Sequence, residues 1–215
     1  MILYKALYFT CLYITLFLFK LFYRLKVYGK DHLSSGSAII AANHISFFDP
    51  PLIVVACQKE LHFLARHTLF KSTFGKILEF FHTHPIKKNA TNISIIKHIN
   101  ELLKQGHKVV LFPEGMRSPD NELREIKPGI GVLIARSKAV IIPTYIHGAY
   151  DVWNRHRKFP KLFGKIVVVF GAPILWKDYA DMERKEAHRN ITQHLAHSIS
   201  TLRKWYMNGA EGIPP

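Results

Sequence analysis

Two short stretches of the chain combine residue types that can activate a hydroxyl group. In the first, Asn43-His44-Ile45-Ser46-Phe47-Phe48-Asp49-Pro50, a histidine precedes an aspartate by five positions. An imidazole titrates near neutrality and can take a proton. A carboxylate bonded to its Nδ1 fixes the tautomer and leaves Nε2 for a substrate hydroxyl. In the second, Phe112-Pro113-Glu114-Gly115-Met116-Arg117-Ser118, Gly115 permits a tight turn and Arg117 supplies a permanent cation whose planar fork can bind phosphate bidentately. Glu114 is an anion and unsuited to holding phosphate, so its expected task is to orient a basic residue or a backbone group. Together the two stretches describe a site that activates a hydroxyl on an anionic substrate. No protein nucleophile is needed. The sequence has no Gly-x-Ser-x-Gly, the elbow that presents a nucleophilic serine, and Ser46 stands too close to His44 to be an easy candidate.

Each piece also has a plain structural reading. Asp49 precedes Pro50-Pro51, and Ser46-x-x-Asp49 has the form of a capping box. Arg117 alone could be a surface residue on an ordinary Pro/Gly turn. The spacing discriminates: residues five apart on a continuous helix lie about 140° from each other. A His44–Asp49 contact therefore requires a turn between them, which a strand-to-helix junction supplies.

The surrounding pattern predicts such junctions. Apolar runs read as strands over Leu25–Gly29, Ser37–Ala42, Leu61–Ala65, Lys108–Phe112, Val140–Ile146 and Ile166–Phe170, with a short strand or turn at Pro85–Lys88. Helical periodicity covers Asp49–Cys57, Thr68–Phe81, Asn92–Gln105, Gly129–Ser137 and a long segment Asp178–Met207 broken once. Strands apolar on both faces alternating with helices predict a single α/β domain with a mixed, largely parallel central sheet flanked by helices. Both stretches start at the carboxyl end of a predicted strand, where ligands bind in such sheets.

The chain has 215 residues and a formal net charge of +15. That length suits one domain, and that charge suits polyanions: nucleic acid, anionic lipid or phosphorylated substrates. Residues 1–24 favour lipid. They are nearly all apolar or aromatic, with an uninterrupted run from Ala6 to Phe19. This run is shorter than the roughly 20 residues a squarely spanning helix needs. It ends without the small-x-small site of a cleaved signal peptide. The expected organisation is a membrane anchor over 1–24, lying in or partly through one leaflet, and a catalytic domain over 25–215; a buried core helix is the alternative for 1–24. Cys11 and Cys57 suggest neither a disulfide framework nor a metal site. His82-x-His84 and His194-x2-His197 lack further ligands at metal spacing, so no metal is expected. The basic loop Arg155–Lys161 suits coenzyme A phosphates, an acidic carrier protein, lipid headgroups or plain solvent.

The blocks resemble, in order, those of the glycerolipid acyltransferase family, the 1-acylglycerol-3-phosphate acyltransferases. Asn43-His44-x4-Asp49 is similar to the first block and Thr83-His84-Pro85-Ile86-Lys87-Lys88 occupies the second. Phe112–Ser118 resembles the third and Val140-Ile141-Ile142-Pro143 the fourth, within a match running over roughly residues 25–172. The resemblance implies acyl transfer from a thioester donor, acyl-CoA or acyl-carrier protein, to the hydroxyl of lysophosphatidic acid. It implies His44 as general base, Asp49 as its partner, and Glu114, Gly115 and Arg117 at the acceptor phosphate. In the family the N-terminal helices dock on the membrane, which suits residues 1–24, and the positive charge favours the cytoplasmic face; no cofactor and no nucleic acid are expected. Asn43, Pro113, Ser118 and Pro143 support the motifs. Lys127 matches a basic position that can reach the phosphate or the thioester oxyanion. Two positions depart from the family pattern: Lys88 stands where an arginine is usual, and Met116 where a threonine is usual. The first departure leaves another lysophospholipid acceptor open.

Overall fold

The computed structural model describes residues 2–33, 35–87 and 92–215. Among the described residues, seven strands form one sheet: β1 (Lys26–Tyr28), β2 (Ala38–Ala42), β3 (Leu61–Arg66), β4 (Thr83–Ile86), β5 (Lys108–Leu111), β6 (Val140–His147) and β7 (Val167–Phe170). Their spatial order is β1-β7-β6-β2-β5-β3-β4. β6, β2, β5, β3 and β4 are mutually parallel, β7 is antiparallel to β6, and β1 is parallel to β7. This is the mixed, largely parallel sheet that the sequence predicts.

β2 shows why the sheet is central. All five of its residues are buried. Ala38, Ile40 and Ala42 join one apolar cluster with α1 (Ile2–Tyr23), α2 (Asp49–Cys57) and α6 (Ala149–Trp153). Ile39 and Ala41 join the cluster on the opposite face, with α4 (Asn92–Lys104), α5 (Gly129–Ser137) and α7 (Arg184–Met207). A strand covered on both faces has no polar positions to alternate with, hence Ala-Ile-Ile-Ala-Ala.

The helices differ from expectation in two places, at residues 68–81 and at α6, and the expected break in the C-terminal segment is present. The segment 68–81 divides into a 3-10 turn, His67–Phe70, and α3 (Thr73–Phe80). Ser72 is extended between them, and Gly75 lies so close to Phe70 that a Cβ there would be 2.6 Å from the Phe70 Cα. The break in the C-terminal segment falls between the 3-10 turn Trp176–Tyr179 and α7, whose Glu183 cap accepts from the Lys185 and Glu186 N–H groups. α6, five residues long, is not legible in the sequence.

Pro143 occupies a central strand, where a residue without N–H is unusual. It pairs with Ala41 on the β2 side. On the other side the register steps by one residue between the Thr144↔Phe170 pair and the Ile141↔Ile174 bridge. That bulge leaves Pro143 only an acceptor's role there, its carbonyl taking the Gly171 N–H at 2.8 Å.

α1 lies along the domain. Tyr8, Leu12, Leu16, Phe19 and Tyr23 recur at helical spacing and are buried, while Ile2, Leu3, Leu7, Ile14, Phe17, Leu18 and Leu21 are exposed on the outer side. Burial of each inner side chain is worth roughly 1.5–3 kcal/mol against water. Polar bonds tie the helix at both ends: Tyr4 donates to the Phe80 carbonyl at 2.6 Å and Tyr23 to the Lys161 carbonyl at 3.0 Å. By length and composition α1 could cross a bilayer, yet one stripe of it belongs to the domain core.

Candidate active site

The junction after β2 closes on one carboxylate. Asp49, the first residue of α2, is fully buried, and its Oδ2 accepts from His44 Nδ1 at 2.7 Å, from the Ile45 N–H at 2.7 Å and from the Ser46 N–H at 2.8 Å. The carboxylate thus binds the turn that precedes it instead of capping its own helix. Ser46 is used otherwise, its hydroxyl donating to the Trp153 carbonyl at 2.8 Å and accepting from the Phe48 N–H at 3.0 Å. The acid half of the capping box is therefore present, the Asp49 carboxylate taking the Ser46 N–H, while the Ser46 hydroxyl takes the Phe48 N–H. With Nδ1 donating to Asp49, Nε2 is left as the basic nitrogen of His44, whose side chain is 19% exposed. The Phe112 ring stacks on the imidazole at 4.0 Å and 18° and holds its plane.

Register brings the second stretch to the first. Ala41 of β2 pairs with Leu111 of β5, so His44 and Glu114 each lie three residues beyond the same rung. Glu114 Oε1 accepts the His44 backbone N–H at 3.4 Å, and the Ser118 N–H donates to the His44 carbonyl at 2.7 Å. On the other side of β2, Asn43 exchanges two bonds with Ile146 of β6, donating from Nδ2 at 3.0 Å and accepting at Oδ1 at 2.7 Å. The histidine backbone is therefore clamped by the carboxyl ends of three adjacent parallel strands, the crevice where ligands bind in such sheets.

The turn itself is built by Gly115, at φ 78, whose N–H donates to the Phe112 carbonyl at 3.0 Å. A Cβ there would meet Lys127 Cε at 3.2 Å, so the lysine stem lies over the glycine. The Lys127 N–H returns to the buried Pro113 carbonyl at 3.0 Å. Ser118 donates from Oγ to Asp120 at 2.8 Å and closes the far end. Arg117 places its guanidinium 3.5 Å above the Phe47 ring. Its Nη1 is buried without a protein partner, as is Asp49 Oδ1. Arg155 donates weakly to the Arg117 carbonyl at 3.5 Å, which brings a second guanidinium to the turn. Partial burial and then the Arg155 charge make the Arg117 proton easier to lose than usual, with Asp49 opposing. An anion would relieve both effects.

Glu114 is the perturbed acid of the site. Burial pushes it up to about 7; the Asp49 charge adds to the rise, while the His44 N–H and Arg124 oppose it. A folded value above the unfolded one means that Glu114 takes up a proton on folding. Its contribution to stability is fully present below about pH 4.5 and is lost as pH rises through about 7. Glu114→Gln keeps an acceptor for the His44 N–H and is expected to be the more stable form at pH 8, by on the order of 1–3 kcal/mol. Near pH 4.5 the two should be level. Thermal melts across that range check this, and parallel pH profiles for the two proteins would remove Glu114 as the source.

Of the residues singled out from sequence, His44, Asp49, Asn43, Pro113, Glu114, Gly115, Arg117, Ser118 and Lys127 come together here. Pro143 sits deeper in β6, four residues before the end of the strand. Lys88 lies outside the described residues. Met116 is exposed on the rim. Three of the histidines weighed as ligands have other partners: His84 Nε2 lies 2.9 Å from His62 Nδ1, His82 Nε2 lies 3.4 Å from the Tyr4 hydroxyl, and His194 is bonded to the Tyr179 hydroxyl. Phe112 stands in the third block without a role assigned from sequence, Phe47 carries no local signal for its role, and Arg155 belongs to a basic loop whose contact with this turn the sequence does not show.

A buried aspartate holding a histidine at the carboxyl ends of an α/β sheet, beside an arginine turn, is an arrangement with the groups needed to activate a hydroxyl without a protein nucleophile. The family model described as Acyltransferase matches residues 24–147, more than half of the chain, and the chain belongs to that family. The matched region ends with the last residue of β6 and contains both motif turns. The chain is 28% identical over 180 residues to the 1-acyl-sn-glycerol-3-phosphate acyltransferase of Bacillus subtilis, covering 82% of this chain and 87% of the relative. It is 26% identical to the chloroplastic 1-acyl-sn-glycerol-3-phosphate acyltransferase LPAT1 of Arabidopsis thaliana, over 81% of this chain, and spans 50% of that protein. The crystal structure of the 1-acyl-sn-glycerophosphate acyltransferase of Thermotoga maritima superposes with a TM-score of 0.63 at 20% identity, over 80% of this chain and 71% of the other. That likeness shows the fold.

Proposed function

We propose that the protein transfers a fatty acyl group from a thioester donor to the sn-2 hydroxyl of 1-acyl-glycerol-3-phosphate, giving phosphatidic acid. The observation that carries the proposal is the 2.7 Å bond from His44 to buried Asp49 beside the Arg117 turn. The names of the relatives support the choice of acceptor.

His44 Nε2 takes the proton of the acceptor hydroxyl as that oxygen attacks the thioester carbonyl. Asp49 stabilises the imidazolium that forms. The tetrahedral oxyanion then collapses: the carbon–sulfur bond breaks, the new ester remains, and the leaving thiolate receives the proton from His44. Arg117, with Arg155 behind it, holds the acceptor phosphate. Lys127 serves the phosphate or the oxyanion. Lys88, where the family pattern has arginine, leaves room for another lysophospholipid acceptor as the alternative. The reaction occurs at the cytoplasmic face of a membrane, which α1 contacts.

The test is acyl transfer by purified protein to a panel of lysophospholipids, with acyl-CoA and acyl-carrier protein as donors. Transfer to lysophosphatidic acid is expected, and transfer to no lysolipid from either donor would overturn the reading. Arg117→Ala is expected to raise the KM for the acceptor by about 10- to 100-fold, with a smaller effect on kcat, because a phosphate clamp binds ground state and transition state alike. Lys127→Ala separates its two roles: a KM effect on the acceptor assigns the phosphate, a kcat effect the oxyanion.

A further inference from the structure

The segment between α6 and β7 holds an apolar patch outside α1. Phe159, Leu162 and Phe163 are 70%, 62% and 65% exposed. Three large apolar side chains within five positions form a patch of the kind that marks an interaction site. The charges around them have one sign: Arg155, Arg157, Lys158, Lys161 and Lys165, with no Asp or Glu between Asp151 and Asp178.

The backbone beneath the patch is held in place. α1 ends with carbonyls that have no partner within the helix, and this segment supplies the donors: Gly164 N–H to the Phe22 carbonyl at 3.2 Å and Ile166 N–H to the Tyr23 carbonyl at 2.9 Å. The Lys161 N–H donates to the Val152 carbonyl at 3.0 Å, and the Lys161 carbonyl accepts from the Tyr23 hydroxyl. The Phe163 and Phe22 rings touch, with centroids 5.9 Å apart. Phe22 lies one helical turn beyond exposed Leu18, so the patch adjoins the outer stripe of α1 there.

We propose that residues 155–165 are a second membrane-docking element, which seats Phe159, Leu162 and Phe163 at the acyl-chain boundary of an anionic bilayer while Arg157, Lys158, Lys161 and Lys165 meet the lipid phosphates. An apolar patch alone fits any apolar partner. The unbroken set of cations selects an anionic one, and continuity with the α1 stripe selects an extended lipid surface. Contact along two joined elements, with α1 tied to the domain at both ends, lays the helix in the plane of one leaflet. The other end of the segment meets the site: the Trp153 carbonyl accepts from Ser46 and from the Phe47 N–H, and Arg155 reaches the Arg117 carbonyl. The rim of the site, with exposed Phe47 and Met116, is thereby held near the headgroup plane. On the reaction proposed above, the acceptor reaches His44 without leaving the interface; the docking itself does not depend on that reaction.

The test uses the full chain with vesicles of phosphatidylcholine alone or mixed with phosphatidylglycerol, read by co-sedimentation. The triple variant Phe159→Ser, Leu162→Ser, Phe163→Ser is expected to partition about tenfold or more weakly on both vesicle types. The triple variant Arg157→Glu, Lys158→Glu, Lys161→Glu should lose about tenfold or more on the anionic vesicles alone, a loss that high salt reproduces in the unmodified protein. In Phe159→Trp, the added indole should be quenched by brominated lipids, which reads the contact without removing apolar area. Unaltered partitioning of both triple variants, or an indole that brominated lipid leaves bright, would overturn the proposal. So would an apolar variant that partitions normally beside a charge variant that has lost affinity for coenzyme A or acyl-carrier protein, since the loop would then serve the donor.

Discussion

Replacing His44 by alanine is expected to lower acyl transfer to lysophosphatidic acid by about 10²- to 10⁴-fold, the range that a positioned general base contributes. The fold should survive. Asp49 Oδ2 keeps its two backbone donors, Ile45 and Ser46, and the strand-end clamps on residue 44 use its backbone, not its ring. The KM for the acceptor should change little, because the phosphate clamp is untouched. Added imidazole is expected to restore part of the rate, since the space beside Phe112 remains. Full activity in His44→Ala, with a melting profile like that of the unmodified protein, would remove the proposed base from the mechanism.

The second large effect concerns Asp49, where two substitutions separate chemistry from structure. All three donors to this residue meet the same oxygen. Asparagine can set its single carbonyl oxygen there and keep every bond, including the one that fixes the histidine tautomer. What it loses is the negative charge facing the imidazolium of the transition state. Asp49→Asn is thus expected to cost about 10²- to 10³-fold in kcat with little change in acceptor KM. Asp49→Ala removes the acceptor altogether and leaves the Ile45 and Ser46 N–H groups buried and unpaired. At about 1–3 kcal/mol each, these should take on the order of 2–6 kcal/mol from stability in addition to the rate. Denaturant melts and steady-state kinetics on both variants check the pair. If Asn and Ala lose stability equally while the Asn rate is unchanged, Asp49 holds only the turn.

Much of the architecture is legible in the sequence because its signals are local. Ala-Ile-Ile-Ala-Ala reads as a strand buried on both faces, and it is one. The five-residue spacing of His44 and Asp49 excludes a helix interior and requires a junction. The division of residues 67–80 was not legible, since a helical period runs across Ser72 although the chain is extended there. α6 is too short to show a period.

The site divides in the same way. The residue types at 44, 49, 114, 115 and 117 determine the available chemistry: a base, a buried acid beside it, a turn and a cation. That His44 and Glu114 meet is a matter of strand order. β3 and β4 intervene in the chain between β2 and β5, yet β5 pairs directly with β2 in a register that matches residue 41 to residue 111. The stacking of Phe112 and the seat of Arg117 on Phe47 follow from that pairing, while Arg155 arrives from beyond β6, the neighbour of β2 on its other side. Most strands, the junctions and the chemical groups are readable segment by segment, because hydrophobic period and turn chemistry act over a few residues. Which strand ends stand side by side, and which face of α1 looks outward, emerge from the packed fold. Those depend on burying both faces of one sheet at once, a condition that no single segment carries.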